Sequence, residues 1–363
     1  MSVTINGTNG LTFNDASTQT TAATGFGFKN RIINGAMVID QRNAGAAVTP
    51  SASSQYLIDR FNMVGTQASK LTFQQVSDAP TGFVNSTKIT VASAATPSAG
   101  DQFRFNQPIE GFNIADLGFG TANAQTITVS FRAKASIAGT YSVALWNGAN
   151  GRSYVTTVSL TTSWATYSFT VSGDITGTWA TNNTVGIELV FDLGGGSNWA
   201  TSTLNAWQAS NFFKASGSVS LVSNAAATLN ITGVQLEKGS TATSFDYRPY
   251  GTELALCQRY FIAFTNTVFG GANNRIATGS GASTTIVRFG FPFPVAMRSA
   301  PSVTMSGTPR AEAGSAISIT SASSAGMNIY GAGIDCSAAS GLTAGTAYMM
   351  DTGSGGYSFS SEL

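Results

Sequence analysis

The sequence contains no histidine at all, which removes the commonest general base, the commonest metal ligand and the side chain that titrates near neutral pH. Every nucleophilic triad built on imidazole is thereby excluded. Cysteine occurs twice, at Cys257 and Cys336. Two thiols so far apart make neither a disulfide framework nor a zinc site, and each reads as a small buried apolar residue. Charge is equally sparse: Asp, Glu, Lys and Arg make up 10% of the chain, against the roughly 25% of an ordinary soluble domain. Eighteen basic and 17 acidic side chains leave a formal charge of +1, so no electrostatic case exists for gripping a nucleic-acid backbone or an anionic membrane. No apolar run approaches the ~18 residues of a membrane-spanning helix. The opening Met1-Ser2-Val3-Thr4-Ile5-Asn6-Gly7 has neither the basic nor the apolar region of a secretory signal, and the chain is expected to be made and assembled in a cytoplasm.

Uncharged polarity stands where charge is missing. Ser and Thr together supply roughly a quarter of the residues, and 40 glycines add to them. Hydrophobic residues at 42% and aromatics at 10% still provide enough apolar surface for packed cores, so the chain is expected to fold. Its 363 residues suit two or three units. Residues 1–30 are rich in Thr, Asn and Gly with only brief alternations, and such a segment cannot bury a core of its own.

From about Asn30 short strands follow one another. Period-two alternation marks 87–91, 101–106, 126–133, 140–146, 166–171, 184–191 and 229–236, each with apolar side chains on one face and Thr, Ser or Lys on the other. Turn residues separate these runs, and long amphipathic helical patterns are scarce. Many short strands without intervening helices predict an all-β fold, with an antiparallel, jelly-roll-like β-sandwich over residues 31–250. A boundary falls near 239–255, where turn residues and Pro249 break the periodicity. A short helix over 252–261, capped by Thr252, then leads into a second, smaller β-rich unit over 251–363. Its strands are expected at 260–264, 285–291, 302–305, 316–320 and 327–330, with Pro292 and Pro294 ending the second of them.

The strongest functional signal is aromatic. All five tryptophans, Trp146, Trp164, Trp179, Trp199 and Trp207, fall in the central unit. Trp179, Trp199 and Trp207 adjoin Gly/Asn/Ser-rich connections, where an exposed indole stacks on a sugar face while polar neighbours bond its hydroxyls. The other role open to each is core packing or a subunit contact. Arg152 and Tyr154 beside Asn147-Gly148-Ala149-Asn150-Gly151 form a second candidate rim, or else an ordinary hairpin. Hydrolysis of a glycosidic bond needs two opposed carboxylates. Glu188 and Asp192 share a strand face but read more simply as a solvated face or a subunit contact. The glycine runs at 194–196 and 353–356 lack the Lys-Ser/Thr of a phosphate loop. Arg42, Asp59, Arg60 and Arg248 flank the entrance and exit of the sandwich, and charge pairs among them are expected to fix that junction.

Three stretches resemble phage tail-fibre and related virion proteins. Gly10-Leu11-Thr12-Phe13-Asn14-Asp15 through Gln19-Thr20-Thr21-Ala22-Ala23 is similar to a segment found near fibre N-termini. The second stretch joins Asn30-Arg31-Ile32-Ile33-Asn34-Gly35-Ala36-Met37 through Gln41-Arg42-Asn43 to Tyr56-Leu57-Ile58-Asp59-Arg60-Phe61. The third runs from Ile231-Thr232-Gly233-Val234-Gln235-Leu236-Glu237-Lys238-Gly239 through Phe245-Asp246-Tyr247-Arg248-Pro249-Tyr250 to Leu256-Cys257-Gln258-Arg259-Tyr260-Phe261. Together they bracket residues 10–261. The resemblance implies a homotrimeric appendage with an N-terminal virion-attachment segment (Leu11, Phe13 and Asp15 within it), a carbohydrate-binding-module-like jelly roll and a distal β-domain. It further implies a place in the phage tail, contacts with other tail or baseplate proteins through the N-terminal segment, and a host-surface glycan as ligand. Carbohydrate-binding jelly rolls often carry an acidic calcium ligand on the last strand, where this chain reads Ile231-Thr232-Gly233-Val234-Gln235, so no metal or other cofactor is expected. The functional expectation is multivalent adhesion without catalysis. A purely architectural or decorating virion protein is the alternative, and a polysaccharide depolymerase a third reading.

Overall fold

The computed structural model describes residues 4–6, 10–12, 18–19, 29–51, 54–270 and 274–363. Near the N-terminus, Thr4–Asn6, Gly10–Thr12 and Thr18–Gln19 pair as a three-stranded antiparallel meander, with Ile5 opposite Leu11 and Leu11 opposite Gln19. Leu11 therefore sits on the middle strand, whereas Phe13 and Asp15 lie outside the described residues.

The chain is all-β, as expected, and its central unit is an antiparallel sandwich. One sheet has seven strands in the order Trp207–Gln208, Ser153–Leu160, Gly139–Asn147, Val185–Asp192, Phe103–Glu110, Phe61–Gly65 and Ser54–Ile58. The other has five, ordered Ala165–Val171, Ile127–Ala135, Thr228–Lys238, Ser86–Val91 and Leu71–Val76. Alternation turns Phe103, Phe105 and Ile109 inward from one strand and Ile187, Leu189 and Phe191 from its neighbour. Between the sheets Phe61 stacks on Phe105 at 5.1 Å and Phe131 meets Phe191 edge-on at 5.2 Å.

The alternating pattern predicts strands wet on their outer face, but the central strands of the larger sheet are covered on both. Asn106 and Glu110, which point outward, are 0% and 1% exposed. The cause is an excursion between Leu193 and Ser223, which lays Phe213 and Ala215 over Ala144, Trp146, Val155 and Val190, together with the second unit closing over the rest. A buried outer face still admits polar side chains where they find partners, so sequence polarity does not reveal exposure here.

The helix spans Tyr250–Gln258, two residues earlier than expected. Pro249 occupies the cap position without a side-chain cap, so Thr252 lies inside the first turn and is not the cap. After it, Phe261–Thr265, Gly356–Ser360 and Ser302–Ser306 form a three-stranded sheet. A seven-stranded sheet runs from Ala316–Ser318 through Arg310–Glu312, Ala347–Asp351, Arg275–Gly281, Ile286–Pro292 and Gly331–Ser337 to Ser321–Asn328. Phe289, Phe291, Ile334, Met350, Tyr357 and Phe359 fill the space between the two. Cys257 and Cys336 are both free and buried.

The segments that carry the resemblance meet at the junction of the two units. Asn30 binds the last strand of the sandwich through Val234 O and Leu236 N, and Asp246 accepts from the backbone of Lys29 and Asn30. Gly35 lies so close to this strand that a Cβ would stand 2.1 Å from Val234 O, which only glycine tolerates. Arg248 donates to the carbonyls of Asn30 and Ile32 and pairs with Glu253. Arg42 and Arg60 both pair with Glu362 rather than with Asp59, the partner the sequence suggested. Arg60 also stacks 3.6 Å from the Tyr260 ring and donates to Pro108 O. Arg259 forks onto Glu110, which also accepts from the Tyr260 hydroxyl at 2.5 Å. Asp59 instead accepts from the backbone N–H and the side-chain amide of Gln41 at 2.7 and 2.6 Å.

Two outcomes test this arrangement. Glu362→Ala strands a fully buried Arg60, and breaking a buried pair costs roughly 3–5 kcal/mol, so its urea midpoint should drop clearly below wild type. Burial pushes the Asp59 carboxyl up to about 6 against the opposing pull of Arg42 and Gln41. A raised folded pKa means that this group's stabilisation is complete below its unfolded value of 3.8 and is lost as pH rises through about 6. Thermal midpoints measured across that window should therefore fall with rising pH more in wild type than in Asp59→Asn.

Candidate functional site

Four of the five residues singled out as a glycan rim come together at one end of the sandwich. Trp179 and Trp207 meet edge-on at 5.2 Å, Phe119 abuts both at 4.8 and 5.9 Å, and Tyr154 lies 5.5 Å from Trp207. Trp179 is 8% exposed and Tyr154 7%, so this is a packed cluster continuous with the core rather than an open platform. Arg152 forks onto Asp174 at 2.6 and 2.9 Å, and Asp174 also accepts from the backbone and hydroxyl of Thr176. That pair ties the 172–180 loop beneath the Asn147–Arg152 hairpin, where Asn147 accepts from Gly151 N and Arg152 N. A pocket of about 380 Å³ opens beside the hairpin, lined by Gly148, Ala149, Thr178, Ala180, Thr184 and Val185, none of them among the five.

Trp199 is placed elsewhere, over the outer face of the larger sheet, 6.4 Å from Trp146. Every indole N–H is engaged within the chain: Trp146 to Phe212 O, Trp164 to Asp78, Trp179 to Thr176 O, Trp199 to Gly100 O and Trp207 to Ser172 O. The rings anchor loops, which is why they cluster in Gly- and Ser-rich connections that have little else to hold them.

The outer face beside Trp146 and Trp199 has a different character. Strand register sets Asn62 opposite Asn106, and Glu188 opposite both Pro108 and Trp146. Arg104, two residues from Asn106 and hence on the same face, pairs with Glu188 at 2.8 Å while its guanidinium lies 4.6 Å from the Trp146 ring. Asn106 donates to the same Glu188 oxygen. The carbonyl oxygens of Asn62 and Asn106 are buried and receive no hydrogen bond from the described residues. They lie beneath the strip, out of reach of solvent, and its open part is the Arg104–Glu188 pair. Arg104 and Glu188 retain 12% and 15% side-chain exposure, the opening of this polar strip to solvent.

Only Glu188 of this group stood out in the sequence. Arg104 and Asn106 alternate with Phe103 and Phe105, which fixes their outward direction, but the approach of Asn62 depends on strand order. Asp192 does share the outer face with Glu188, yet its carboxylate is consumed by Gly194 N and Gly195 N at 2.8 Å each and faces Lys214 at 3.8 Å. Burial, opposed by these partners, raises its pKa. Among the described residues no cluster of three metal-ligating side chains occurs.

No family model and no curated protein matches the chain. Solved structures similar to it include one described by the words "CBM4 structure and function", at 18% identity over 57% of this chain and 98% of that one, with a TM-score of 0.28. The N-terminal cellulose-binding domain of Cellulomonas fimi β-1,4-glucanase C is 15% identical over 54% and 100%, with a TM-score of 0.28. The enzymatically active domain of tailspike protein 4 of bacteriophage CBA120 is 13% identical over 58% of this chain but 21% of that one, with a TM-score of 0.32. Scores this low carry no argument about ligand or role.

The packing of the aromatic cluster yields one clear expectation. Trp179→Ala removes a core ring and should cost about 3–5 kcal/mol, read as a lower unfolding midpoint rather than as a selective loss of any binding.

Proposed function

We propose that this protein is a non-catalytic adhesion component of a phage tail appendage, assembled as a homotrimer, that binds a host-surface glycan along the outer face of its larger sandwich sheet. The observation that carries the binding is the Arg104–Glu188 pair, partly open to solvent beside Trp146 and Trp199. Sugar hydroxyls donate to Glu188 and accept from Arg104, while Trp199 flanks the pair with an apolar ring. Glu188 is held by Arg104 and Asn106, and Asp192 by a backbone bend, an arrangement suited to holding a ligand rather than to transferring protons to one. The appendage role is supported by the sequence segments around Leu11, Asn30 and Arg248. Residues near Leu11, Phe13 and Asp15 would attach to other tail proteins. Three chains sharing one surface raise weak single-site binding to useful avidity.

A second reading, an architectural component without affinity for a receptor, draws on the engagement of all five indole N–H groups and on the cover over both faces of the larger sheet. Arg104→Gln separates the two, with its thermal midpoint read alongside to confirm a folded variant. Under the adhesion reading, loss of one charged donor, worth about 1.5–3 kcal/mol, should weaken adsorption of the folded variant to host polysaccharide about tenfold or more. Wild-type protein that adsorbs neither to host cells nor to a glycan array would leave the architectural reading standing.

A further inference from the structure

We infer that the outer face of the five-stranded sandwich sheet is a second binding surface, one that takes a carboxylate-bearing saccharide. Register aligns Lys88, Asn230 and Lys134 in one row across three neighbouring strands, and Arg132 stands two residues from Lys134 on the same face. Their chain neighbours Ile89, Phe131 and Ala133 are buried in the core, so the three cations point away from it. With strands about 4.8 Å apart and alternate residues about 7 Å apart, all three rise from a patch about 10 Å across.

One acidic side chain answers this patch. Asp78 pairs with Lys134 at 2.8 Å and accepts from the Trp164 indole at 3.2 Å. Lys88 acts on Asp78 only at a distance, and neither Lys88 nor Arg132 makes a hydrogen bond or ion pair among the described residues. Every other arginine of the chain is bonded to a carboxylate or a backbone carbonyl, which makes Arg132 the exception. Its stem is nevertheless seated. A Cβ on Gly233 would stand 2.6 Å from Phe83 Cζ and 3.3 Å from Arg132 Cγ, so ring and stem rest side by side on bare backbone. A held guanidinium without a counter-ion is a ready fork for a carboxylate, and Lys88 adds a second unneutralised charge to the same face.

The surroundings identify what carries the carboxylate. Phe83 packs against Phe245 and Tyr247 at 5.1 and 5.6 Å, and exposed Tyr247 offers the apolar surface on which a pyranose ring lies. On the other side Thr166 faces Arg132 in register, and Thr166, Ser168 and Thr170 expose a line of hydroxyls that donate and accept as sugar hydroxyls do. Two free cations are too few for the phosphate track of a nucleic acid.

This surface lies on the opposite sheet from Arg104 and Glu188 and shares with the proposed function only the class of ligand. Polygalacturonate is titrated calorimetrically into full-length wild type, Arg132→Gln, Lys88→Gln and the control Lys238→Gln, which removes the same charge elsewhere. The expected result is binding by wild type and control, about tenfold or more weaker in Arg132→Gln and several-fold weaker in Lys88→Gln, at unchanged thermal midpoints. Polygalacturonate that fails to bind wild type, or binds both variants as well as it binds wild type, overturns the inference. Polyglutamate that binds wild type equally well also overturns it, because the partner is then an acidic peptide. Binding that Arg104→Gln abolishes and Arg132→Gln spares assigns the acidic ligand to the larger sheet and has the same effect. Wild type that binds polygalacturonate through Arg132 yet adsorbs to no host cell leaves this surface standing and removes the proposed function. Should Arg132→Gln lower the thermal midpoint, Lys88→Gln, which has no bond to lose, decides the matter.

Discussion

The burial of Glu362 between Arg42 and Arg60 is the constraint on which the arrangement of the two units depends. Neither arginine can be dispensed with once the carboxylate is dry, because a buried charge is tolerated only when paired and hydrogen-bonded. Arg60 reaches this position from a tight turn at Asp59-Arg60, where its φ is +70°, so the backbone conformation and the ion pair specify one another. Tyr260 roofs the guanidinium, Pro108 O accepts from it, and the neighbouring Glu110 ties Arg259 and Tyr260 to the same sandwich strand. Strands 54–58, 61–65 and 103–110, the helix 250–258 and the segment after Ser360 thus converge on one charged knot in a chain otherwise poor in charge.

That economy explains how the fold reads from the sequence. Period-two runs such as 126–133 and 166–171 were recoverable because their apolar side chains face a single core, and the structure places strands at Ile127–Ala135 and Ala165–Val171. Phe61–Gly65 and Ser153–Leu160 escaped notice because polar residues on them, Asn62 on the first and Ser153 and Thr156 on the second, are buried as well, which erases alternation. The expected cap at Thr252 gave way to Pro249, whose fixed φ suits a helix start without any side-chain bond.

The candidate site was less legible, for a physical reason. Tryptophan beside glycine looks the same in a sequence whether its ring stacks on a ligand or pins a loop, and Trp179 and Trp207 do the latter. Arg104 is an unremarkable residue whose place beside Glu188 and the Trp146 ring arises only from the order of the strands. The junction charges were legible as a group, yet Glu362 lies about three hundred residues along the chain from Arg60, a contact no local pattern encodes.

One pairing at the neck of the distal unit has a mechanical meaning. Phe261 lies opposite Ser360, so the chain enters and leaves that unit on adjacent strands. Ser302–Ser306 pairs onto the far side of Gly356–Ser360, and Arg298 reaches back to Asn183 O, Ser361 O and Glu362 O. The neck is therefore a clasp, and parting it breaks ladder bonds on both sides of Gly356–Ser360 together.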